Sequence, residues 1–228
     1  MTQREAGKEE RSVLDLTPDE VLTTTRAVRR RLDTSRPVDR ALVEKCLEIA
    51  LQAPNGSNMN TWRWIAVDDR ATIEAMAGIY DAALDDYVKS LGSAVGKSYA
   101  GAAVPGFEKI GASVQHLREH MREMPMLLLP LFAGRTEAAS TFFQASQWGS
   151  IVQAVWSFML ALRARGLGSC WTTGHLHREA QMAELLGIPK ERFTQVGLFP
   201  VAYTQGTAFK PAWRLPPSEV LRWNRFQA

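Results

Sequence analysis

The chain has 228 residues, 46% of them hydrophobic, which is enough apolar material for one well-packed domain and too little length for two. Its 27 basic and 24 acidic residues leave a net charge of +3, too mild to imply a nucleic-acid partner. The two cysteines, Cys46 and Cys170, are far apart in sequence, which argues against a disulfide framework and for a reducing compartment.

Residues 1–14 hold almost nothing that could be buried and no signal-peptide apolar run, so a disordered leader is expected. Thr17-Pro18-Asp19-Glu20 has the chemistry of a helix start, with a capping threonine, a first-turn proline and a glutamate placed to close a capping box. That helix is expected to run into Arg26, Arg29, Arg30 and Arg31. Pro37 opens a second predicted helix, in which Val38, Leu42, Cys46, Ile49 and Ala50 share a face. Pro54 to Asn58 supplies turn chemistry, and Trp62 to Val67 alternates as a strand does. A helix over about Ala71 to Lys89 leads to residues 91–106, whose Gly, Ala and Ser content predicts a mobile loop and a candidate lid.

Next come a helix over about Glu108 to Arg122 and a buried strand, Met126 to Ala133. This longest apolar run contains Pro130 and is too short to span a bilayer, so a cytoplasmic protein without a membrane partner is expected. Ser140 to Arg165 is a helix apolar nearly all round, the mark of a central helix or an oligomer interface. Gly166 and Gly168 are read as its stop. A short strand, Ser169 to Thr173, a helix over about Arg178 to Leu186, and a buried strand, Gln195 to Tyr203, follow. The Pro-rich tail from Lys210 reads as an arm with one short helix.

Three conspicuous motifs carry little. His116-Leu117-Arg118-Glu119-His120 matches the inverted zinc-peptidase pattern HxxEH, but no downstream ligand is evident, so it reads as a solvated helix face and no metal is expected. Gly92 to Ser98 is one residue short of a phosphate-binding P-loop and does not follow a strand. Gly166-Leu167-Gly168 lacks the third glycine of a dinucleotide fingerprint. His175 and His177 read as surface residues.

Two quieter clusters carry more. Arg26, Arg29 and Arg30, flanking Ala27, gather guanidiniums where a phosphate could be held. Ala53 to Trp62 is a turn dense in amides, and amides both donate and accept, as the edge of a heterocycle requires. These segments resemble, in order, the FMN-dependent nitroreductase superfamily. Its R-S-x-R, P-V and A-P-S-x-x-N-x-Q-P-W segments have counterparts at Arg26 to Arg29, Pro37-Val38 and Ala53 to Trp62. Its G-L-G and Thr-rich strand match Gly166 to Thr173. Leu186 to Pro189, Gly197 to Pro200 and Arg214 to Val220 complete the set. The likeness covers residues 16–226 and looks closest to actinobacterial-type members sharing TTTR-x-VR and GLGSCWTT.

The resemblance implies an α+β fold: a central mixed sheet flanked by helices, with the C-terminal arm exchanged in a homodimer. It implies FMN held by Arg26, Ala27, Arg29, Arg30 and Arg214, with Asn55, Asn58 and Asn60 near the ring and ribityl chain. Trp171, Thr172 and Thr173 would pass beside the flavin N5. NADPH or NADH would be the electron donor and a small molecule, such as a nitroaromatic or quinone, the acceptor. The sequence departs from the pattern where Ala27 and Asn55 replace serines and Asn60-Thr61 replaces Gln-Pro. The deiodinase branch grips its substrate with a Glu-Tyr-Lys set that is not found between Glu74 and Lys109. A dehalogenase-like enzyme and a flavin-sequestering module without turnover are the alternatives.

Overall fold

The computed structural model describes residues 13–91 and 107–226. The expected leader lies outside them except for Val13 and Leu14, and Leu14 N–H donates to Ala164 O at 2.7 Å. The expected lid and the P-loop-like segment also lie outside, apart from Leu91 at a helix end.

Helix α1 (Pro18–Thr24) begins with the expected capping box: Thr17 Oγ1 accepts from Glu20 N–H, and Glu20 reaches back to Thr17 N–H. It stops at Thr24, so the arginines do not sit on its end. Arg26 leads into a short stretch where Val28 N–H donates to Ser169 O at 2.9 Å, and Arg29, Arg30 and Arg31 form the bend and turn that follow it. Strand β1 (Leu32–Asp33) follows, too short to leave a sequence pattern. Helix α2 (Arg40–Ala50) starts beyond Pro37 because Asp39 is its cap, accepting from Ala41 N–H at 2.9 Å. Next are β2 (Trp62–Val67), α3 (Arg70–Leu91), α4 (Phe107–His120), β3 (Met126–Ala133) and α5 (Thr141–Arg163). The chain ends with β4 (Leu167–Ser169), α6 (Glu179–Leu186), β5 (Phe193–Gln195), β6 (Phe199–Thr204) and α7 (Pro217–Val220).

The strands form one sheet, with β2 and β3 paired along their length and β5 and β6 on the other edge of β3. Beyond them β6 pairs β4 and β1. All these pairs are antiparallel; the parallel component is the bridge between Ala27 and Ser169. Alternation along β3 builds two cores. Met126, Leu128 and Phe132 face α2 and α5, whereas Leu127, Leu129 and Leu131 face α3 and α6. The result is the expected α+β fold, a sheet with helices on both faces.

Two sequence readings change here. Gly166 does stop α5, at φ +74°, but Gly168 belongs to β4. Its missing side chain lets Val28 and Thr204 close in: a Cβ there would lie 2.7 Å from Thr204 Cγ2. The single strand expected from Gln195 to Tyr203 is broken. Between the pairs Leu131–Gln195 and Leu128–Phe199, β3 has two residues and the facing chain has three. This is a β-bulge. Pro130 sits opposite it, accepting from Val196 N–H at 3.0 Å. A residue's N–H and C=O share an edge, so the N–H that Pro130 lacks would have pointed into the bulge, where proline is tolerated.

His175, read as a surface residue, is fully buried in the turn Gly174–Arg178, with Gln195 the side chain that bears on it. Gln195 Nε2 donates to Glu179 O at 2.9 Å, yet neither imidazole nitrogen nor Gln195 Oε1 closes a hydrogen bond of standard geometry. Burial pushes the His175 pKa down to about 4 from 6.5.

Two outcomes are expected. Gly197→Ala would thrust a Cβ into the Trp171 indole ring and cost roughly 1–3 kcal/mol, measurable by chemical denaturation. A cost near zero would mean that the bulge gives way freely. For His175, the unfolded chain binds a proton between pH 6.5 and 4 while the folded chain does not. The stability that neutral His175 permits is therefore complete above pH 6.5 and falls as the pH drops towards 4. Melting curves over that range should show a steeper acid loss in the wild type than in His175→Gln; equal slopes would contradict this.

Candidate functional site

A cavity of about 310 Å³ lies between α3, α4 and the chain that follows β4. One wall is Arg29, Trp171, Thr172, Thr173 and Gly174; the other is Tyr80, Leu84, Tyr87, Val114 and His177. The bulge positions the first wall. Thr172 and Leu198 exchange backbone hydrogen bonds of 3.1 and 2.8 Å, and Thr172 Oγ1 also donates to Leu198 O. Trp171 Nε1 donates to Val196 O at 3.0 Å, laying the indole against Gly197, where no side chain intervenes. The arginine segment joins from the other side through Val28 and Ala27, both bonded or bridged to Ser169.

Arg29 Nη1 donates to Ser113 Oγ on α4 at 3.3 Å, while its Nε is buried without a partner. A buried guanidinium nitrogen left unpaired is costly, and an acceptor supplied by a ligand would remove that cost. Cys170, fully buried behind this wall, has its thiol pushed up to about 12 by burial, with Arg29 pulling the other way. Burial likewise pushes the Tyr80 phenol up to about 12, with Cys170 adding to the rise and Thr172 opposing it. Both groups stay protonated at neutral pH. His177 stacks at a tilt on Tyr87, with centroids 5.7 Å apart. No carboxylate is among the described residues of the lining. The walls offer a cation, hydroxyls and flat aromatic surface, a donor set that fits a planar, anionic redox cofactor such as FMN.

The structure therefore brings Arg29, Trp171, Thr172 and Thr173 together, while Ala27 is exposed, bridged to Ser169 and not part of the lining. Arg26 is half-buried on the same segment, and Arg30 is exposed, facing His116. Arg31, the last of the arginine cluster, is occupied elsewhere: it donates to the carbonyls of Gln205, Gly206 and Ala208 and lies 4.1 Å over Phe209. Asn55, Asn58 and Asn60 form a knot of their own. Asn60 N–H donates to Asn55 Oδ1 at 3.0 Å, and Asn60 Nδ2 donates to Asn58 O at 2.8 Å. Ser57, Asn58 and Asn60 all have φ between 51 and 53°, a strained backbone of the kind that collects at functional loops. Neither this turn nor Arg214, exposed in the tail, lines the cavity. The sequence reading missed the second wall. Tyr80, Leu84 and Tyr87 recur at helical spacing on α3, and that periodicity was the available signal.

The chain is similar in sequence and in fold to known proteins. A curated relative, the 5,6-dimethylbenzimidazole synthase of Rhodospirillum rubrum, is 29% identical over 141 residues, a stretch spanning 60% of this chain and 60% of that protein. Among solved structures, a BluB-like flavoprotein from Clostridium difficile 630 superposes with a TM-score of 0.67 at 16% identity, covering 92% of this chain and 100% of that one. The FMN and NADPH-dependent nitroreductase NfnB from Sphigopyxis sp. strain HMH gives 0.64 at 20% identity, over 92% and 100% of the two chains. Oxidized iodotyrosine deiodinase, bound to FMN and 3-iodo-L-tyrosine, gives 0.63 at 22%, over 89% and 96%. The model described as Nitroreductase family matches residues 22–203, and the chain belongs to that family.

Proposed function

We propose that this is a cytoplasmic, homodimeric FMN-dependent oxidoreductase that passes electrons from NADPH or NADH to a small acceptor such as a nitroaromatic or quinone. The observation that carries the reading is Arg29, held in the cavity with a buried, unpartnered Nε beside Trp171, Thr172 and Thr173. FMN, when bound, supplies the hydride and electron chemistry. The chain's residues do the rest. Arg29 places positive charge where a flavin gains negative charge on reduction. Thr172 and Thr173 offer hydroxyls, and Thr173 and Gly174 peptide groups, to the ring edge. Trp171 and Tyr80, on opposite walls, exclude water from the cavity, and the Tyr87–His177 stack sits where an acceptor would enter.

The second subunit would complete the site. In the single chain, α5 leaves Phe142 84% exposed, and the tail leaves Trp223 78% and Phe226 86% exposed, which supports the reading of a subunit interface. Covering these faces with a partner would bring the partner's asparagine turn and Arg214 to a cavity they do not reach within one chain. The absence of a carboxylate from the described lining weighs against a substrate gripped by its ammonium group, and hence against a deiodinase-like reaction.

Arg29→Ala should weaken FMN binding by about 1.5–3 kcal/mol, the value of a charge-assisted contact. Titrating apoprotein with FMN measures this, and an unchanged affinity would remove Arg29 from the site. Anaerobic addition of NADPH or NADH to the yellow holoprotein should bleach it, and a nitroaromatic or quinone should restore the colour. Protein that keeps its FMN but resists both donors would instead be a flavin-sequestering module.

A further inference from the structure

The sequence reading set His116, Glu119 and His120 aside as a solvated face. The structure places one ligand atom from each within 4.8 Å of the others, near the C-terminal end of α4. The imidazoles lie one turn apart and stack with centroids 4.2 Å from each other. Two nitrogens on a tetrahedral zinc, each at about 2.0–2.1 Å, stand roughly 3.3 Å apart, so a small rotation of the side chains closes the chelate.

His120 is already fixed for that role. Its Nδ1 lies 2.9 Å from His116 O. A carbonyl can only accept, so Nδ1 carries the proton and Nε2 keeps its lone pair. Such a backbone-anchored ring nitrogen is the arrangement by which proteins orient metal-ligating histidines. Glu119 is exposed and is held by Gln115 Nε2 at 2.9 Å. The charges facing His116 are Arg30 on one side and Glu119 and Glu123 on the other. The nearby guanidiniums of Arg118 and Arg122 are engaged by Asp81, Asp85 and Glu74.

We infer that His116, Glu119 and His120 form a surface site for one divalent transition-metal ion of the zinc or copper class, separate from the flavin cavity. Two imidazoles and one carboxylate select borderline ions over magnesium or calcium, and copper should bind more tightly than zinc.

The test uses untagged, full-length holoprotein stripped with a chelator and titrated with Zn²⁺ and Cu²⁺ against a chromogenic competitor. One ion per chain is expected, undisturbed by excess Mg²⁺. His175 is buried, and His177 lies at the cavity rim, so a second strong histidine chelate should not compete. His116→Gln combined with His120→Gln should lose at least about tenfold in affinity, with FMN content and melting temperature unchanged as proof of folding. Glu119→Gln should weaken binding measurably. Wild-type affinity no greater than that of the double variant would overturn the site, as would a Glu119→Gln variant that binds as tightly as wild type.

Discussion

Pro130 has no N–H to give, and much of the site's geometry follows from how the neighbouring chain accommodates that gap. Opposite it, the chain from Phe193 to Thr204 takes in one extra residue and shifts register between β5 and β6. The shift leaves Val196 N–H on Pro130 but frees the Val196 carbonyl and both peptide groups of Leu198 from β3. Trp171 and Thr172 take them instead, through the indole N–H and a reciprocal backbone pair. The chain leaving β4 is thus tied down immediately where it becomes a cavity wall. Gly197 and Gly168 permit the approach, one towards an indole and the other towards Val28 and Thr204.

Arginine chemistry divides along the same line. Arg31 and Arg163 are structural, holding Phe209 between them at 4.1 and 5.1 Å from the ring centroid, and they fix the point from which the tail departs. Arg163 is buried and donates to Thr24 Oγ1, which ties that clamp to the end of α1. Arg135 bridges Glu179 and Glu137 and so secures α6 to the sheet. Arg29, by contrast, has a hydroxyl at one nitrogen and no partner at another. That unpaired Nε is the observation on which the proposed role of Arg29 at the cofactor rests.

Local chemistry was legible in the sequence. The Thr17–Glu20 box, the long apolar α5 and the turn at Asn55 to Asn60 rest on short-range patterns, whereas the meeting of Arg29 with Trp171 to Thr173 was implied only by the family resemblance. What was not legible depends on partners distant in the chain. No spacing reveals that Arg31 will be spent on Gln205 to Ala208, that His175 will be enclosed beside Gln195, or that β6 will slip by a residue. The two-residue strand β1 exists only because Thr204 and Tyr203 offer it an edge. Tyr80 and Tyr87 read as ordinary helix residues until α4 and the turn after β4 close a cavity around them.

The central claim is that one flavin site draws Arg29 from one chain and Arg214 from its partner. The most direct test co-expresses an Arg29→Ala chain with an Arg214→Ala chain under two different affinity tags and isolates the heterodimer. If the residues meet across the interface, one of its sites carries both defects and the other carries none. FMN titration should then show one site of wild-type affinity per dimer and one severely weakened. Two equally weakened sites would show that both arginines serve the same chain's cavity, and the account of a site shared between subunits would be wrong.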